Sequence, residues 1–382
     1  MTVTDPSPTG RSDAEIIGRD DANDIDAILA LTNTERDATI LQVKNNADTI
    51  YTWDYEKGAR PRLNKLYEKA KHSMWDGETD LDWSTDVDLE QMVNHLQIVS
   101  QVQDQSMYRY AQEPGSALAH FGQKEWDDLA RESLTWQLSQ FLHGEQGALV
   151  ATAKIVETVP WIDAKYYAST QVMDEARHVE VFAKYLDTKI GDHYPINPHL
   201  QQLLDDVIED SRWDMTYLGM QIMIEGLALA AFGFLHQMTD EPLLKKLLRY
   251  VMSDEARHVA FGVLSLQEFY EHLTLAEIQE RQEFAFEAAL RMRDRFLRQE
   301  VWHRMGIDDT RGVIKTMVEA PPEEKEFQRL LFSKIVPNCK KLGLLDAGEG
   351  WLRTKFTEIG VIEFENLEST DTEYADFALA ED

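Results

Sequence analysis

The sequence repeats one six-residue motif, Asp-Glu-Ala-Arg-His-Val, at residues 174–179 and again at 254–259. Another glutamate lies thirty residues before the glutamate of each copy, which gives the pairs Glu145 with Glu175 and Glu225 with Glu255. The two units are offset by 80 residues at every matched position. This regularity indicates a duplicated pair of helices rather than a coincidence.

Each copy places a glutamate and a histidine three residues apart, so on a helix the two side chains share one face and can bind one metal ion together. With the upstream glutamates, the two copies supply four carboxylates and two imidazoles, the ligand set of di-iron and di-manganese carboxylate bundles. Four carboxylates balance the charge of two divalent ions, whereas without metal they would repel each other and take up protons. The predicted metal ligands are Glu145, Glu175, His178, Glu225, Glu255 and His258.

The neighbours of these glutamates favour a metal site over an ordinary surface ion pair. Glu145 and Glu225 stand in largely apolar stretches, where a bare buried charge would be costly. A third Glu-x-x-His occurs at Glu300 and His303, but it has no Asp before it and no glutamate thirty residues upstream, where Tyr270 stands. We interpret this third motif as a solvated helix face.

The spacing also predicts the geometry of the two units. The midpoint of the first glutamate pair is Pro160 and that of the second is Asp240, and both are turn signals. A helix rises roughly 20 Å over the fifteen residues before such a turn, and the return helix descends equally, so the paired carboxylates meet at one level. The stretch 187–213 carries Pro195 and Pro198, and it is long enough to cross the bundle with a short helix of its own.

An aspartate and an arginine flank each repeated motif. A metal-bound histidine usually donates its other N–H to a carboxylate. We therefore expect Asp174 to hold His258 and Asp254 to hold His178, each aspartate being fixed by an arginine, Arg177 or Arg257. The alternative is a weak, exposed Asp–Arg pair within each helix.

Apolar helix neighbours of the predicted ligands would line a substrate pocket if they face inward. They are Ala148, Leu149, Phe182, Ala228, Leu229, Val251 and Phe261. Gly144, Gly147 and Gly226 also adjoin the ligands, where they would either allow close helix packing or leave room for a substrate.

Apolar residues at three- and four-residue spacing predict an all-α fold, a four-helix bundle with one long crossover and flanking helices. The predicted helices lie near 87–112, 118–158, 161–190, 213–237, 241–271, 274–305 and 322–343. Residues 45–86, with Trp53, Trp75 and Trp83, are interpreted as irregular. We divide the chain into a disordered lead-in (1–25), an N-terminal wrapping segment with helices (26–117), the di-metal bundle (118–271), C-terminal helices (272–362) and an acidic tail (363–382) that is either a solvated end or a docking peptide.

Composition limits the partners. Over 382 residues the formal net charge is −31, and without a basic run such a chain is not expected to bind nucleic acid or an anionic membrane. Its single cysteine, Cys339, excludes an internal disulfide and a cysteine-based zinc site. The N-terminus lacks an export signal, and the longest apolar run, residues 226–235, is about half of a bilayer span. We therefore expect a cytoplasmic protein.

At the six predicted ligands the sequence resembles the ferritin-like di-iron carboxylate superfamily, in its O2-activating oxygenase and oxidase branch, over roughly residues 118–271. The resemblance implies a ferritin-like bundle and two iron ions, with Mn/Fe as the alternative. It also implies that Glu175 and Glu255 bridge the metals, that Glu145 and Glu225 are terminal ligands, and that the protein is a homodimer.

Several positions depart from the patterns of familiar members. Phe182 stands where radical-generating subunits of ribonucleotide reductase have a tyrosine, and Ala148 and Met220 stand where ligand-binding oxidases have a crosslinked valine and tyrosine. Val251 replaces the additional histidine of aryl-amine N-oxygenases, and Leu229 replaces a threonine of multicomponent hydroxylases. On these positions no familiar subfamily fits.

The sequence therefore predicts an O2-activating non-haem di-iron oxygenase or oxidase, a monooxygenase- or oxidase-type oxidoreductase, that acts on a small, largely apolar organic substrate. No flavin or nicotinamide motif is visible, so electrons would come from a separate reductase. Two alternatives stay open: a radical-generating subunit that docks through the acidic tail, and a ferroxidase that stores iron.

Overall fold

The computed structural model describes residues 8–34, 57–95, 105–321 and 324–372, and within these ranges it contains helices and no strand. The α-helices are α1 Asp13–Ile17, α2 Ile25–Ala30, α3 Pro61–His72, α4 (residues 89–95, as far as it is described), α5 Gln105–Ala111, α6 Gln123–Thr158, α7 Ile162–Tyr185, α8 Pro198–Glu209, α9 Trp213–Tyr217, α10 Glu225–Met238, α11 Pro242–Tyr270, α12 Leu275–Arg295, α13 Gln299–Arg304, α14 Arg311–Glu319, α15 Glu326–Leu330, α16 Ile335–Lys341 and α17 Trp351–Glu358. Two π-helical stretches, Leu186–Ile190 and Leu218–Ile224, and three 3₁₀ stretches, Leu331–Ser333, Gly348–Gly350 and Ile362–Asn366, complete them.

Four long helices form the central bundle. They are α6, α7, the continuous helix Trp213–Met238 made of α9, a π-helical stretch and α10, and α11. The predicted turns are present, because α6 ends at Thr158 before Pro160 and α11 begins at Pro242 after Asp240. The side chain of Glu241 accepts hydrogen bonds from the first free N–H groups of α11, and Asn197 does the same for α8. The predicted all-α bundle with one long crossover, occupied by α8, is confirmed.

The helix Trp213–Met238 is long and apolar enough to cross a membrane by composition alone, although its longest uninterrupted apolar run is residues 226–235. In the structure, 78% of its most apolar window is buried inside the protein. It also carries Glu225, which faces the other bundle helices. Its apolar composition is therefore that of a core helix surrounded by other helices.

Two N-terminal expectations were wrong. Residues 8–25 are not a disordered lead-in, since they form α1 with a capping box at Ser12, and Arg19 forms an ion pair with Asp294 of α12. Part of the segment expected to be irregular is α3, which packs against α7 and α11. Trp53 lies outside the described residues.

The C-terminal segment also differs from the expectation. As far as residue 372, the acidic tail packs on the body: Thr370 is 1% exposed and exchanges hydrogen bonds with Asn338, and Asp371 pairs with Arg62. The rest of the tail, 373–382, lies outside the described residues.

The predicted helix 274–305 is interrupted, because Arg298 adopts a left-handed backbone with φ of 53° between α12 and α13.

The structure separates the two explanations for the glycines. A Cβ at Gly147 would overlap the side chain of Leu204 in α8, so this glycine allows close helix packing. No heavy atom lies within 4 Å of a Cβ built at Gly144, and Ile335 lies 3.7 Å from one at Gly226. Of the three glycines beside the ligands, only Gly147 is therefore explained by close helix packing.

We expect Gly147→Ala to destabilise the protein by about 1–3 kcal/mol, because the added methyl group forces α6 and α8 apart. The matched variant Gly144→Ala, three residues earlier on the same helix, should be stabilised by about 0.5–1 kcal/mol, because alanine favours the helix. Thermal unfolding of both variants measures the difference. Equal shifts of the two midpoints would contradict this assignment.

Candidate metal centre

The structure brings all six predicted ligands together in the middle of the bundle. Each is at most 5% exposed. Ligand atoms of four residues lie within 4.8 Å of one another, as do those of a second group of three; the groups are Glu145, Glu175, His178 and Glu255, and Glu175, Glu225 and His258. The two groups share Glu175, so they are adjacent halves of one cluster.

The glutamates of the repeated motifs lie between the two histidines. Glu175 Oε1 is 3.1 Å from His258 Nδ1, and its other oxygen is 3.4 Å from His178 Nδ1. Glu255 Oε1 is 3.2 Å from His178 Nδ1 and 3.6 Å from His258 Nδ1. Glu145 belongs to the His178 side, with Oε2 at 3.2 Å from His178 Nδ1. Both histidines therefore direct Nδ1 at the cluster.

The outer nitrogen of each histidine meets the aspartate of the other repeat. His178 Nε2 is 3.2 Å from Asp254 Oδ2, and His258 Nε2 is 3.3 Å from Asp174 Oδ2. This is the cross-pairing that the sequence predicted, and it joins α7 to α11. A carboxylate that accepts the Nε2–H leaves Nδ1 as the free lone pair directed at the cluster.

Both arginines bind both aspartates. Arg177 Nη2 donates to Asp174 Oδ1 at 2.5 Å and to Asp254 Oδ2 at 3.0 Å. Arg257 donates to Asp254 and, at 3.3 Å, to Asp174. All four side chains are at most 7% exposed, which rules out the alternative of an exposed intrahelical pair. The two charges of each sign offset each other within this layer.

The inner carboxylates are opposed in charge by the two histidines, which lower the pKa of Glu175 despite its burial but do not do so for every glutamate. Burial first, and then the charge of Glu255, raises the pKa of Glu145 and of Glu225 well above the ordinary value. Burial opposes protonation of His178, but the Glu145 carboxylate and the hydrogen bond to Asp254 outweigh it and raise its pKa. Without added cations, the donor set thus acquires positive charge as protons.

Several inner ligand atoms are buried without a hydrogen bond from the described residues. They are Glu175 Oε2, Glu225 Oε2, both oxygens of Glu255, and His258 Nδ1. Buried polar atoms are normally satisfied, and carboxylate oxygens that point at one another need a cation between them. The donor set of oxygen and imidazole nitrogen fits iron or manganese ions.

Sequence reasoning missed two residues that contact this cluster. Gln171 is fully buried, and its Nε2 donates to Glu175 Oε1 and Glu225 Oε1, both at 2.9 Å. It stands four residues before Glu175, so helical spacing could have revealed it. The indole N–H of Trp75 donates to Asp254 Oδ2 at 2.8 Å, and this residue lies too far away in sequence for any local signal.

A π-helical stretch, Leu218–Ile224, precedes Glu225, whose backbone N–H bonds to Met220 O five residues back. Such π-helical insertions are frequent at functional sites because the wider turn changes the direction of the side chains after it. The corresponding part of α6, before Glu145, is an ordinary α-helix. The duplication is therefore asymmetric before Glu225.

Comparisons with known proteins agree with this arrangement. The family model of the p-aminobenzoate N-oxygenase AurF matches residues 56–343, three quarters of the chain and all six clustered ligands. The chain belongs to this N-oxygenase family. No curated protein matches it in sequence.

Solved structures show the same fold. A variant of an R2-like ligand-binding oxidase with an anaerobically reconstituted Mn/Fe cofactor is 18% identical, with a TM-score of 0.51 over 76% of this chain and 99% of that one. A second such variant is 17% identical, with a TM-score of 0.50 and the same coverage. The N-oxygenase family and these bundles together place the chain in the ferritin-like superfamily.

Membership of the N-oxygenase family corrects the conclusion that no familiar subfamily fits. The family match extends across Val251, the position where the sequence lacks an additional histidine. Val251 is fully buried. The duplication gives it a counterpart in Gln171, 80 residues earlier, whose Nε2 donates to Glu175 and Glu225. The chain is accordingly an oxygenase-type oxidoreductase with a dinuclear metal site, acting on a small organic substrate.

The residues expected to line a pocket are mostly packed rather than open. Ala148, Phe182, Leu229, Val251 and Phe261 are buried, while Leu149 and Ala228 are partly exposed. None of them lines the cavity of about 170 Å³ found elsewhere between α6, α10 and the segments after α12. Its walls include Trp126, Trp136, Phe234, Phe296, Arg298 and Lys325.

Three phenylalanines lie between this cavity and the metal cluster. Phe141 lies on α6 midway between Gln137, which lines the cavity, and Glu145, and these two residues are about 12 Å apart along the helix. Its ring packs against Phe232 at 4.5 Å and Phe182 at 5.8 Å. The cavity and the cluster therefore share one face of α6, separated by this aromatic layer.

The third Glu-x-x-His motif was misinterpreted. Glu300 is 3% exposed, and it accepts hydrogen bonds from Trp136 Nε1 at 3.2 Å and Asn197 Nδ2 at 2.9 Å. Burial raises its pKa to about 7. Only His303 is solvent-exposed, so Glu300 is a buried carboxyl group beside a tryptophan of the cavity wall.

We expect Glu300→Gln to change the pH dependence of stability. The folded state holds the Glu300 proton more tightly than the unfolded chain does, so this group's contribution to stability falls as pH rises from about 4.5 to about 7. The variant lacks this loss. Its free energy of unfolding should therefore rise relative to that of the wild type by about 1–3 kcal/mol between about pH 5 and pH 8. Thermal unfolding across this range measures it, and parallel curves would contradict the buried, protonated state.

Proposed function

We propose that Glu145, Glu175, His178, Glu225, Glu255 and His258 bind two iron ions. Asp174, Arg177, Asp254 and Arg257 hold the two histidines in place. The observation that carries this proposal is that the six side chains form two buried groups of carboxylate and imidazole atoms, one of four residues and one of three, that have Glu175 in common. Mn/Fe is the alternative metal pair for the same oxygen and nitrogen donors.

The distances support different roles for the four glutamates. Glu175 directs one oxygen at each histidine, and Glu255 Oε1 lies within 3.6 Å of both, as bridging ligands require. Glu145 groups with His178 only, and Glu225 with His258 only. We therefore assign Glu175 and Glu255 as bridges, with Glu145 and Glu225 as terminal ligands.

When bound, the two metal ions supply the redox chemistry that activates O2. The protein itself orients the ligands and excludes water from the centre. Asp174 and Asp254 fix the histidine tautomers through Nε2. Gln171 spaces Glu175 from Glu225 with its two N–H groups. The packed phenylalanine layer keeps water from the centre, so reactive species meet few competing protons.

The substrate that we propose is a small molecule with a largely apolar body. The cavity wall is mainly apolar, with aromatic and aliphatic side chains, and its charged residues are the cationic Arg298 and Lys325 and the acidic Glu324. The family description favours N-oxygenation of an aromatic amine, and p-aminobenzoate is the first compound to test. The substrate would pass from the cavity to the centre through the layer of Phe141, Phe182 and Phe232.

Activation of O2 consumes electrons, and the sequence shows no flavin or nicotinamide motif that could supply them. We propose that a separate reductase provides these electrons for turnover. We further propose a cytoplasmic homodimer. Val150 of α6 and Met173 of α7 support self-association, because they are 48% and 58% exposed on paired helices.

Two other functions are separable by experiment. A radical-generating subunit would be expected to carry a tyrosine at position 182, where a phenylalanine is packed among Phe141 and Phe232. A storage ferroxidase would continue to take up iron after the centre is filled. Both are outcomes of the following titration.

Anaerobic ferrous titration of the metal-free protein should reach a plateau at about two ions per chain, and O2 should then oxidise them. Glu225→Ala removes a terminal ligand, so about one ion should remain tightly bound while the helical circular dichroism persists. Glu300→Gln is the matched control, a buried carboxyl group outside the cluster that should still bind two. Full iron retention by Glu225→Ala would refute the assignment, and uptake far beyond the plateau would indicate storage.

Asp254→Asn should weaken metal binding by about 10- to 100-fold, because the asparagine no longer fixes His178 as a carboxylate does. Asp174→Asn should have a similar effect through His258, since the two aspartates have equivalent positions. Competition with a coloured chelator measures both affinities. Unchanged affinity in both variants would remove the positioning role.

A further inference from the structure

Oxidisable aromatic residues lie beside the metal centre on the side away from the cavity. Tyr167 of α7 is fully buried and lies one helical turn before Gln171, whose Nε2 donates to Glu175 and Glu225. The ring of Phe261, three residues after His258, packs 4.4 Å from the ring of Tyr167 and 5.1 Å from that of Tyr217. The two tyrosine rings are therefore within about 9.5 Å of each other, the sum of these centroid distances.

The series continues to the surface. Trp213 lies one turn before Tyr217, and the two rings meet edge-on at 5.2 Å. Tyr217 is fully buried, whereas Trp213 is partly exposed. The residues Tyr167, Tyr217 and Trp213 thus form an aromatic series that begins beside a predicted metal ligand and ends at solvent.

Packing alone does not explain why these positions carry tyrosine and tryptophan rather than phenylalanine. Phe261 and Phe269 fill space beside them without a polar group. Tyrosine and tryptophan, in contrast to phenylalanine, give up one electron readily, which is the property that the series has in common.

We propose that Tyr167, Tyr217 and Trp213 form a one-electron transfer route from the protein surface to the metal centre. This inference rests on the proposed function, because the oxidised metal centre is the electron acceptor. The donor at the surface is a one-electron reductant of the flavin or iron–sulfur class, as in the reductase proposed above.

Each transfer balances. With the metal ions bound, Tyr167 would give one electron to the oxidised centre, and its phenolic proton would pass to a carboxylate oxygen of the surrounding glutamates. An electron and a proton from Tyr217 then restore Tyr167, and an electron and the indole proton of Trp213 restore Tyr217. The external reductant gives one electron to Trp213, which takes a proton from water. The net change is one electron from the reductant and one proton from water delivered to the centre.

Two neighbouring tryptophans are less suitable as the surface end. The guanidinium group of Arg177 lies 4.6 Å from the ring centroid of Trp75, and that of Arg60 lies 4.2 Å from that of Trp161. A cation over the ring favours the neutral indole and opposes loss of an electron. Among the described residues, no cation lies over Trp213. Trp75 nevertheless contacts His178 through Asp254, so it is the competing route that an experiment must separate.

The first test needs no metal. In the full-length, metal-free protein, a ruthenium photo-oxidant in solution oxidises exposed tryptophan, and time-resolved optical and electron paramagnetic resonance spectra follow the radical. We expect a tryptophan radical that converts to a tyrosyl radical, and loss of this conversion in Tyr217→Phe and Trp213→Phe. Tyr185→Phe is the matched control, because this buried tyrosine of α7 bonds to Glu241 outside the series. Conversion that survives in Tyr217→Phe overturns the route.

The second test uses the iron-loaded protein with O2 and without substrate. Peptide mass spectrometry should find oxidation at Trp213 in the wild type and its loss in Tyr217→Phe. Oxidation confined to Trp75, abolished only by Trp75→Phe, would overturn the proposal in favour of the competing route. Iron binding and oxidation are measured in the same samples, so failure of the centre itself counts against the proposed function, while the light-driven test still decides the route.

Discussion

Four carboxylates that converge in one protein core impose the constraint on which the rest of this structure depends. Each carboxylate has lost its hydration, and the four repel one another at short range. Burial and the charge of Glu255 raise the pKa of Glu145 and Glu225, while the carboxylates raise the pKa of the histidines between them. Positive charge is what this core lacks, and two divalent ions supply it without protons.

The layer outside the ligands meets a different requirement. Asp174 and Asp254 take the outer nitrogens of the histidines, and Arg177 and Arg257 bind both aspartates. Charge in this layer is balanced within itself, so it orients the imidazoles without competing for the metal ions. Its cross-connections also tie α7 to α11, which couples the geometry of the centre to the packing of the bundle.

The two sides of the centre have different aromatic chemistry. Towards the cavity, Phe141, Phe182 and Phe232 form a buried, packed layer of rings that resist one-electron oxidation. Towards the other end of the bundle, Tyr167 and Tyr217 place phenols near the centre. Position 182 carries a phenylalanine where radical-generating subunits have a tyrosine, but Tyr167 comes from the preceding turns of the same helix. A single diagnostic position is therefore a weak guide to the redox surroundings.

The sequence by itself determined the helices of the bundle, their turns and the six converging ligands. Helical periodicity is a local pattern, and the 80-residue repeat is visible when one part of the sequence is compared with another. Even the cross-pairing of aspartates and histidines followed from that symmetry. Only the tertiary structure decided which distant residues join the centre. Trp75 reaches Asp254 across 179 positions, and Glu300 is buried by Trp136 and Asn197 rather than solvated. Such contacts depend on how helices pack, and packing depends on the whole set of surfaces rather than on spacing within one of them.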